Sequence, residues 1–234
     1  MSTLWSSLAA ALGMIVEFDP ALLDIIGLSL RVSITAVVIA TLIGAPLGAA
    51  VAVGKFRGRR AAIVTLNGLM GLPPVVLGLV VYLLLSRAGP LGDLGLLFTP
   101  GAMIIAQALL VTPIIAALTR QVVEDAWGEY RELLVSLRAT PWQAALTLLW
   151  DTRYSLSTVV LAGLGRAMSE VGAVMIVGGN ISGVTRVITT TIVLETSKGD
   201  LPLALALGII LIVLVMLLNT AAFATREWAA RRYG

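Results

Sequence analysis

Five long apolar segments dominate the chain, and shorter polar segments separate them. The apolar segments run from about Leu22 to Val53, Ile63 to Leu85, Gly101 to Leu118, Leu156 to Val177 and Leu201 to Ala224. A helix of about 20 apolar residues crosses the hydrocarbon core of a bilayer and satisfies its own backbone hydrogen bonds. The pattern therefore predicts an all-α, polytopic membrane protein with about five transmembrane helices.

A shorter apolar segment precedes the first predicted span. Leu4, Trp5, Leu8 and Leu12 recur at helical spacing, in a run that is too short to cross a bilayer. This spacing predicts a short N-terminal helix that lies at the membrane interface, although a partly ordered tail would fit the pattern equally well. No basic residues precede the run, so we do not expect a cleaved signal peptide.

Composition agrees with a membrane location and narrows the possible chemistry. The 234 residues are 59% hydrophobic and 12% charged, with a mean hydropathy of +1.00. Soluble domains contain about 25% charged residues. The chain contains no cysteine and no histidine, which excludes disulfides, thiolate nucleophiles and the commonest metal ligand. We therefore expect no catalytic residues and no metal site.

Basic residues between the spans indicate how the chain is oriented. Alternate polar segments contain eleven basic residues on one side and three on the other. The positive-inside rule places the richer side in the cytoplasm, so the N-terminus is expected outside and the C-terminus inside. The eleven are Lys55, Arg57, Arg59, Arg60, Arg120, Arg131, Arg138, Arg153, Arg226, Arg231 and Arg232, and the three are Arg87, Arg186 and Lys198.

The predicted cytoplasmic segment between spans three and four contains two amphipathic stretches. Tyr130, Leu133, Leu134 and Leu137 share one helical face, and Trp142, Ala145, Leu146 and Leu149 repeat the pattern. Spacing of this kind indicates two short helices, each with an apolar face. These faces either pack on the membrane end of the same bundle or enter a groove on a soluble partner.

A helix start separates the two stretches. Thr140 suits the N-cap position, Pro141 the first helical position, and Gln143 the third position of a capping box. A capping box satisfies two backbone donors reciprocally and fixes the start of a helix. The segment is therefore predicted to contain a fixed bend, which favours docking because a rigid corner transmits motion better than a flexible loop.

The fourth span contains two ionisable residues that are candidates for the transport pathway. Arg166 and Glu170 are four residues apart, so a continuous helix would place them on one face. Such groups usually face the bundle interior. They either neutralise each other and fix helix packing, or they line or gate the pathway. Gly178, Gly179 and Asn180 are predicted to end the span on the outer side, and Asn180 is a third pathway candidate.

Prolines within the spans are candidate hinges. Pro73 and Pro74 lie in span two, Pro113 in span three and Pro46 in span one. A proline removes a backbone donor and favours a kink. Each kink could act as a hinge or serve packing alone, because membrane helices tolerate proline.

An ATP-binding loop is not found in the sequence. Lys55 follows a glycine, but Phe56 comes next, and the G-x-x-x-x-G-K-[ST] spacing is not met. We expect no cofactor in this chain and do not expect it to hydrolyse ATP. Five spans are also few for enclosing a polar pathway, so a second copy of the chain is expected.

Two segments resemble a known family. "ELLVSLRATPWQAALTLL" (residues 132–149) resembles the EAA loop of permease subunits in bacterial and archaeal ABC importers. Glu132 matches the leading Glu and Ala139 the Ala after the Gly, whereas Arg138 stands where Gly is usual and Asp151 where Pro is usual. "SEVGAVMIVGGNI" (residues 169–181) looks like the permeases of the molybdate, tungstate and sulfate group, and the tungstate type in particular. That resemblance covers about residues 25–225.

The resemblance implies an architecture and a docking site. Residues 1–234 would form one permease domain of the type I ABC importer kind, and residues 125–153 its cytoplasmic coupling loop. In that family the loop docks in a cleft of the ATP-binding subunit. The residues expected to dock are Glu132, Leu133, Leu134, Leu137, Arg138, Ala139, Thr140 and Trp142.

The resemblance also implies a function. It implies the channel-forming subunit of an ATP-driven oxyanion importer, with tungstate as the expected substrate, in the cytoplasmic membrane of a bacterium or archaeon. Expected partners are a second copy, two ATP-binding cassette subunits that hold ATP and Mg, an external substrate-binding protein and membrane lipid, but no nucleic acid. A permease for molybdate or sulfate, a secondary transporter and a membrane enzyme remain as alternatives; the last would need a cluster of reactive groups, which the sequence does not show.

Overall fold

The computed structural model describes residue 13 and residues 20–233, and over these residues the chain is helical with no strand. This confirms the predicted all-α class. The predicted interfacial helix around Leu4 to Leu12 lies outside the described residues. The helices are α1 (Pro20–Val53), α2 (Arg59–Met70), α3 (Pro74–Leu85), α4 (Pro100–Ser136), α5 (Pro141–Asp151), α6 (Arg153–Met168), α7 (Gly172–Gly178), α8 (Ile188–Lys198) and α9 (Leu201–Tyr233), with a 3-10 turn at Gly92–Leu94.

The number of membrane spans reaches the predicted five only if two interrupted pairs of helices are each counted as one span. Among the described residues, α1, α4 and α9 are each long and apolar enough to cross a bilayer. Two further spans result if α2 with α3, and α6 with α7, are each counted as one interrupted span. The protein is therefore a multi-pass membrane protein with three to five spans.

Two spans that the sequence predicted as single helices are interrupted. In span two, helix α2 ends at Met70 and helix α3 begins at Pro74. Pro73 disfavours helix for the residue before it, and Pro74 suits the first position of α3 because it needs no hydrogen-bond acceptor there. Pro73 and Pro74 thus separate two helices, whereas Pro113 lies inside the continuous helix α4.

The described residues form two compact units, each assembled from separate segments. The first unit contains residues 20–35, Pro74–Gln107 and Met168–Ala221. The second contains Ala36–Pro73, Ala108–Ala167 and residues 222–233.

The first unit is built around an apolar core of alanine, valine, leucine and methionine side chains. Met103, Val174 and Val177 are buried there. Gly78 lets α3 approach α7 closely, because a Cβ atom at that position would lie 2.7 Å from the Cα of Ala173. Small residues of this kind are how membrane helices reach van der Waals contact.

In the second unit, α1 crosses α4 at a pair of glycines four residues apart. A Cβ atom on Gly44 would lie 2.9 Å from the carbonyl oxygen of Thr112, and one on Gly48 only 2.3 Å from that of Ala116. Both distances are shorter than real Cβ contacts allow, so the two backbones touch. This is the small-xxx-small arrangement that brings membrane helices together.

We predict that Gly48→Ala destabilises the second unit by about 1–3 kcal/mol, the usual effect of overpacking. The added methyl group meets backbone that cannot move aside. Gly128→Ala in α4 is the matched control, because a methyl group added there would have nothing within 4 Å and alanine favours helix. Thermal unfolding in detergent measures both variants, and an unchanged midpoint for Gly48→Ala would contradict the close crossing.

Candidate partner-docking site

The segment predicted as two short helices is a sharp corner between a long helix and a short one. Helix α4 continues without a break through the third span to Ser136, a length of 37 residues. The first predicted amphipathic helix is therefore the end of α4 and not a separate element. Residues 137–140 connect it to α5, which has 11 residues. We call residues 133–150 the coupling corner.

Hydrogen bonds at the end of α4 define the first half of the corner. The backbone N–H of Arg138 donates to the oxygen of Val135, and that of Ala139 donates to the oxygen of Leu134, each at 3.0 Å. Arg138 has a φ of 54°, in the left-handed region. This is a Schellman motif, in which glycine is the usual left-handed residue. The bend therefore forms with Arg138 where the resembled motif has Gly.

The start of α5 defines the second half of the corner and confirms the predicted capping box. The N–H of Gln143 donates to Oγ1 of Thr140 at 3.3 Å, and the N–H of Thr140 donates to Oε1 of Gln143 at 2.9 Å. Pro141 occupies the first helical position. Because both helix ends have satisfied backbone groups, the corner is a fixed turn.

One side of the corner is part of the core of the second unit. Leu134, Ala144, Ala145 and Leu148 are buried in a cluster with residues of α1 and with Val123 of α4. Leu134 is only 8% exposed. The prediction that Leu134 docks on a partner is therefore corrected: its side chain faces inward and anchors the corner, whereas its neighbour Leu133 faces outward.

The other side of the corner exposes large apolar side chains, which we call the exposed stripe. Its members are between 46% and 72% exposed, and they are Leu133, Leu137, Trp142, Leu146 and Trp150. Exposed apolar side chains at helical spacing on an otherwise packed element make this side of the corner a candidate interaction surface. Of the other predicted docking residues, Glu132, Arg138 and Thr140 are exposed beside the stripe and Ala139 is half-buried.

Trp150 belongs to this surface although the sequence pattern had not placed it among the docking residues. Trp142, Leu146 and Trp150 follow one another at intervals of four residues along α5, and that spacing was the available signal. The guanidinium of Arg153 lies 5.0 Å from the ring centroid of Trp150 and 4.5 Å from that of Tyr154. These cation–π contacts hold the far end of the stripe.

A network of ion pairs connects Arg59, the first residue of α2, to helix α4. The contact lies before the corner in α4. The Arg59 Nη2 atom lies 2.7 Å from Oε1 of Glu124, and Arg120 pairs with the second oxygen of that carboxylate. Arg59 also donates to the oxygens of Val51 and Ala52, at 2.8 and 3.2 Å. Its cation thereby satisfies carbonyls at the C-terminus of α1. The sequence offered no signal for Glu124 as the partner.

The two ionisable pathway candidates lie on either side of the end of helix α6. Helix α6 carries Arg166 but ends at Met168, and α7 begins at Gly172. Glu170 lies in the break, so the two residues do not share one continuous helix; that they neutralise each other or line the pathway stays a prediction. The break arises where Glu170 itself bonds to backbone: its Oε1 accepts from the N–H of Ala173 at 3.1 Å.

Glu170 is the most deeply buried of the pathway candidates. It is 3% exposed, and its carbonyl oxygen accepts a hydrogen bond from Oγ1 of Thr189 at 2.9 Å. A carboxylate at the start of a helix bonds to free N–H groups and is favoured by the helix dipole. These contacts give Glu170 a structural function within the first unit, whatever its part in transport.

Asn180 follows α7, as the sequence predicted for the end of the fourth span. Helix α7 ends at Gly178, and Asn180 is half-buried with a φ of 50°. Thr185 organises the loop that follows: its Oγ1 donates to the oxygen of Gly178 at 2.6 Å and accepts from the N–H of Ile181 at 2.9 Å.

Within the described part of the chain, no cluster of three acidic, histidine or cysteine residues could hold a metal.

We predict that Arg138→Gly stabilises the corner by about 1 kcal/mol, because a side chain makes the left-handed conformation unfavourable. Arg138→Ala is the matched control, since it removes the charge but keeps the Cβ atom. Hydrogen exchange of the Ala139 amide reports the stability of the turn. Exchange should slow only in the glycine variant, and equal slowing in both variants would show that the charge and not the backbone sets stability.

Comparison with known proteins gives the family. No protein-family model matches the chain. It is 44% identical to the tungstate uptake system permease protein TupB of Peptoclostridium acidaminophilum over 93% of this chain and 96% of that protein. It is 39% identical to a probable anion ABC transporter permease protein of Haloferax volcanii, over 91% and 94%. It is also 39% identical to TupB of Campylobacter jejuni, over 70% and 69%. The chain therefore belongs to the family of ABC transporter permeases that includes the tungstate uptake permeases.

Proposed function

We propose that this chain forms the membrane channel of an importer that brings tungstate into the cytoplasm, with energy from a separate ATP-binding subunit. Two of the relatives named above are tungstate uptake permeases and match the chain over most of its length. The sequence contains no ATP-binding loop of its own. ATP and Mg would therefore bind to the partner subunit. This chain is expected to bind no cofactor.

The exposed stripe of the coupling corner is the observation that carries this proposal. Two tryptophans and three leucines face outward from a corner whose opposite side is packed in the core. An apolar stripe at helical spacing fits a groove on a partner protein. Large aromatic residues at the centre of such a stripe supply most of the binding free energy in protein interfaces.

Helix α4 connects the corner directly to the third membrane span. It is continuous from Pro100 to Ser136, although Pro113 lies inside it. At about 1.5 Å per residue it is roughly 55 Å long, more than enough to cross a bilayer. A displacement of the corner by an ATP-binding subunit would move this helix as one body, and an inward-open to outward-open switch between two packed states would follow.

The distribution of basic residues supports the orientation and the partners of the proposed importer. With the basic-rich side inside, the corner and the C-terminus face the cytoplasm of a bacterium or archaeon, and the N-terminus faces outward. Two copies of the chain would enclose the pathway in the lipid bilayer. Two ATP-binding subunits would bind the two corners, and an external binding protein would deliver the anion. No nucleic acid is expected to take part.

Uptake into proteoliposomes tests the function. The permease reconstituted with its ATP-binding subunit and binding protein should accumulate tungstate only when ATP is enclosed on the ATPase side. Molybdate and sulfate are tetrahedral oxyanions too, and stronger competition by either would reassign the substrate. Uptake by the permease alone, driven by an ion gradient, would identify a secondary transporter and overturn the proposal.

We predict that Leu137→Asp weakens binding of the ATP-binding subunit about 30-fold, the effect of losing a central contact worth about 2 kcal/mol. Leu137 is 68% exposed, so the variant should fold and insert. Leu94→Asp is the matched control, because Leu94 is 59% exposed in the 3-10 turn between α3 and α4. Copurification measures both, and undiminished recovery with Leu137→Asp would count against docking at the corner.

A further inference from the structure

A cavity in the first unit is lined by residues other than Glu170. Its volume is about 570 Å³, and it is lined by the N-terminal part of α1 and by the loop between α7 and α8. Three charged side chains line it: Asp24 and Arg31 from α1 and Arg186 from the loop. Ser182 and Gly183 add a hydroxyl group and backbone polar groups. The cavity is therefore polar on a protein that is otherwise mostly apolar.

The two arginines of this cavity differ from the paired arginines elsewhere in the chain. Among the residues that the structure describes, neither Arg31 nor Arg186 donates a side-chain hydrogen bond or forms an ion pair. In contrast, Arg59 and Arg120 pair with Glu124. Two cations and one carboxylate line the cavity, so its formal charge is positive.

Arg186 carries a donor that requires an acceptor. Its Nε atom is buried, yet it has no hydrogen-bond partner within the described chain. Burying a charged donor without an acceptor raises the free energy of the folded protein by several kcal/mol. An anion that enters the cavity would supply that acceptor.

The backbone around Arg186 is held in place by the rest of the unit. The N–H of Arg186 donates to the oxygen of Ile181 at 3.1 Å, in the loop that Thr185 fastens to Gly178. Two residues later, the N–H of Ile188 donates to Oγ of Ser29 on α1 at 2.9 Å. A hydrogen bond thus connects the loop to α1 beside the cavity. It fixes the backbone segments that carry the two arginines.

We propose that this cavity is a low-affinity binding site for a tetrahedral oxyanion on the external side of the permease. Arg186 and Arg31 would supply charge-assisted N–H donors, which match the oxygens of such an anion. The carboxylate of Asp24 weakens the attraction between the cavity and the anion. A weak site suits transport, because an anion must leave the site as well as enter it. This inference rests on the proposed function and its orientation.

Protection of a single thiol from modification tests the site. Since the chain contains no cysteine, Ser182→Cys introduces one thiol on the cavity wall. The permease with its ATP-binding subunit is reconstituted in vesicles, and a membrane-impermeant maleimide is added outside. Tungstate should slow labelling of this chain, and sodium chloride at the same ionic strength should not.

Charge variants on the Ser182→Cys background identify the groups that bind the anion. Arg186→Gln or Arg31→Gln should raise the protecting tungstate concentration about tenfold, the effect of losing a hydrogen bond to a charged group. Asp24→Asn should lower it. Arg87→Gln is the matched control, because Arg87 is exposed in the same unit but does not line the cavity.

Four outcomes would overturn the proposal, and the first three concern the labelling itself. These are no protection in a complex that transports tungstate, equal protection by chloride, or labelling that requires permeabilised vesicles. A complex that fails to transport any oxyanion would instead refute the proposed function. Protection that persists unchanged in both arginine variants would show that the anion binds elsewhere.

Discussion

The structure depends on one constraint: wherever a helix stops inside a membrane protein, the freed backbone groups need new hydrogen-bond partners. Water is absent from the hydrocarbon core, and each unsatisfied group is unfavourable by several kcal/mol there. The break between α6 and α7 meets the constraint with Glu170, whose carboxylate accepts from Ala173 and whose carbonyl accepts from Thr189. The end of α7 meets it with Thr185, which bonds both Gly178 and Ile181.

The helix ends at the coupling corner are capped in a similar way, although Arg138 and Thr140 are exposed there. The Schellman motif at Arg138 satisfies the end of α4, and the capping box of Thr140 and Gln143 satisfies the start of α5. Leu148 and its buried neighbours then fix the corner to the second unit. A turn held by both hydrogen bonds and packing moves with the helices to which it is attached. This property is what force transmission from a partner subunit requires.

Features that depend on local pattern were predictable from the sequence. Hydropathy placed the spans, and the T-P-x-Q pattern placed the start of α5. Pro73 and Pro74 predicted a kink in span two, where the structure has a full break, whereas the break at residues 169–171 was not predicted, because a hydropathy window averages over three residues that leave the helix. Leu134 was wrongly assigned to the docking surface, because periodicity defines an apolar face without saying which part of it the core covers. Arg59 and Glu124 are 65 residues apart, so no local pattern could join them.

Photo-crosslinking from the corner would show whether an ATP-binding subunit contacts this surface. A photoreactive phenylalanine analogue in place of Trp142 would be activated in the intact transport complex, with and without ATP, and its products identified by mass spectrometry. We expect a crosslink to the ATP-binding subunit in both states. Products confined to lipid or to the permease itself, in a complex that transports normally, would disprove docking at the corner.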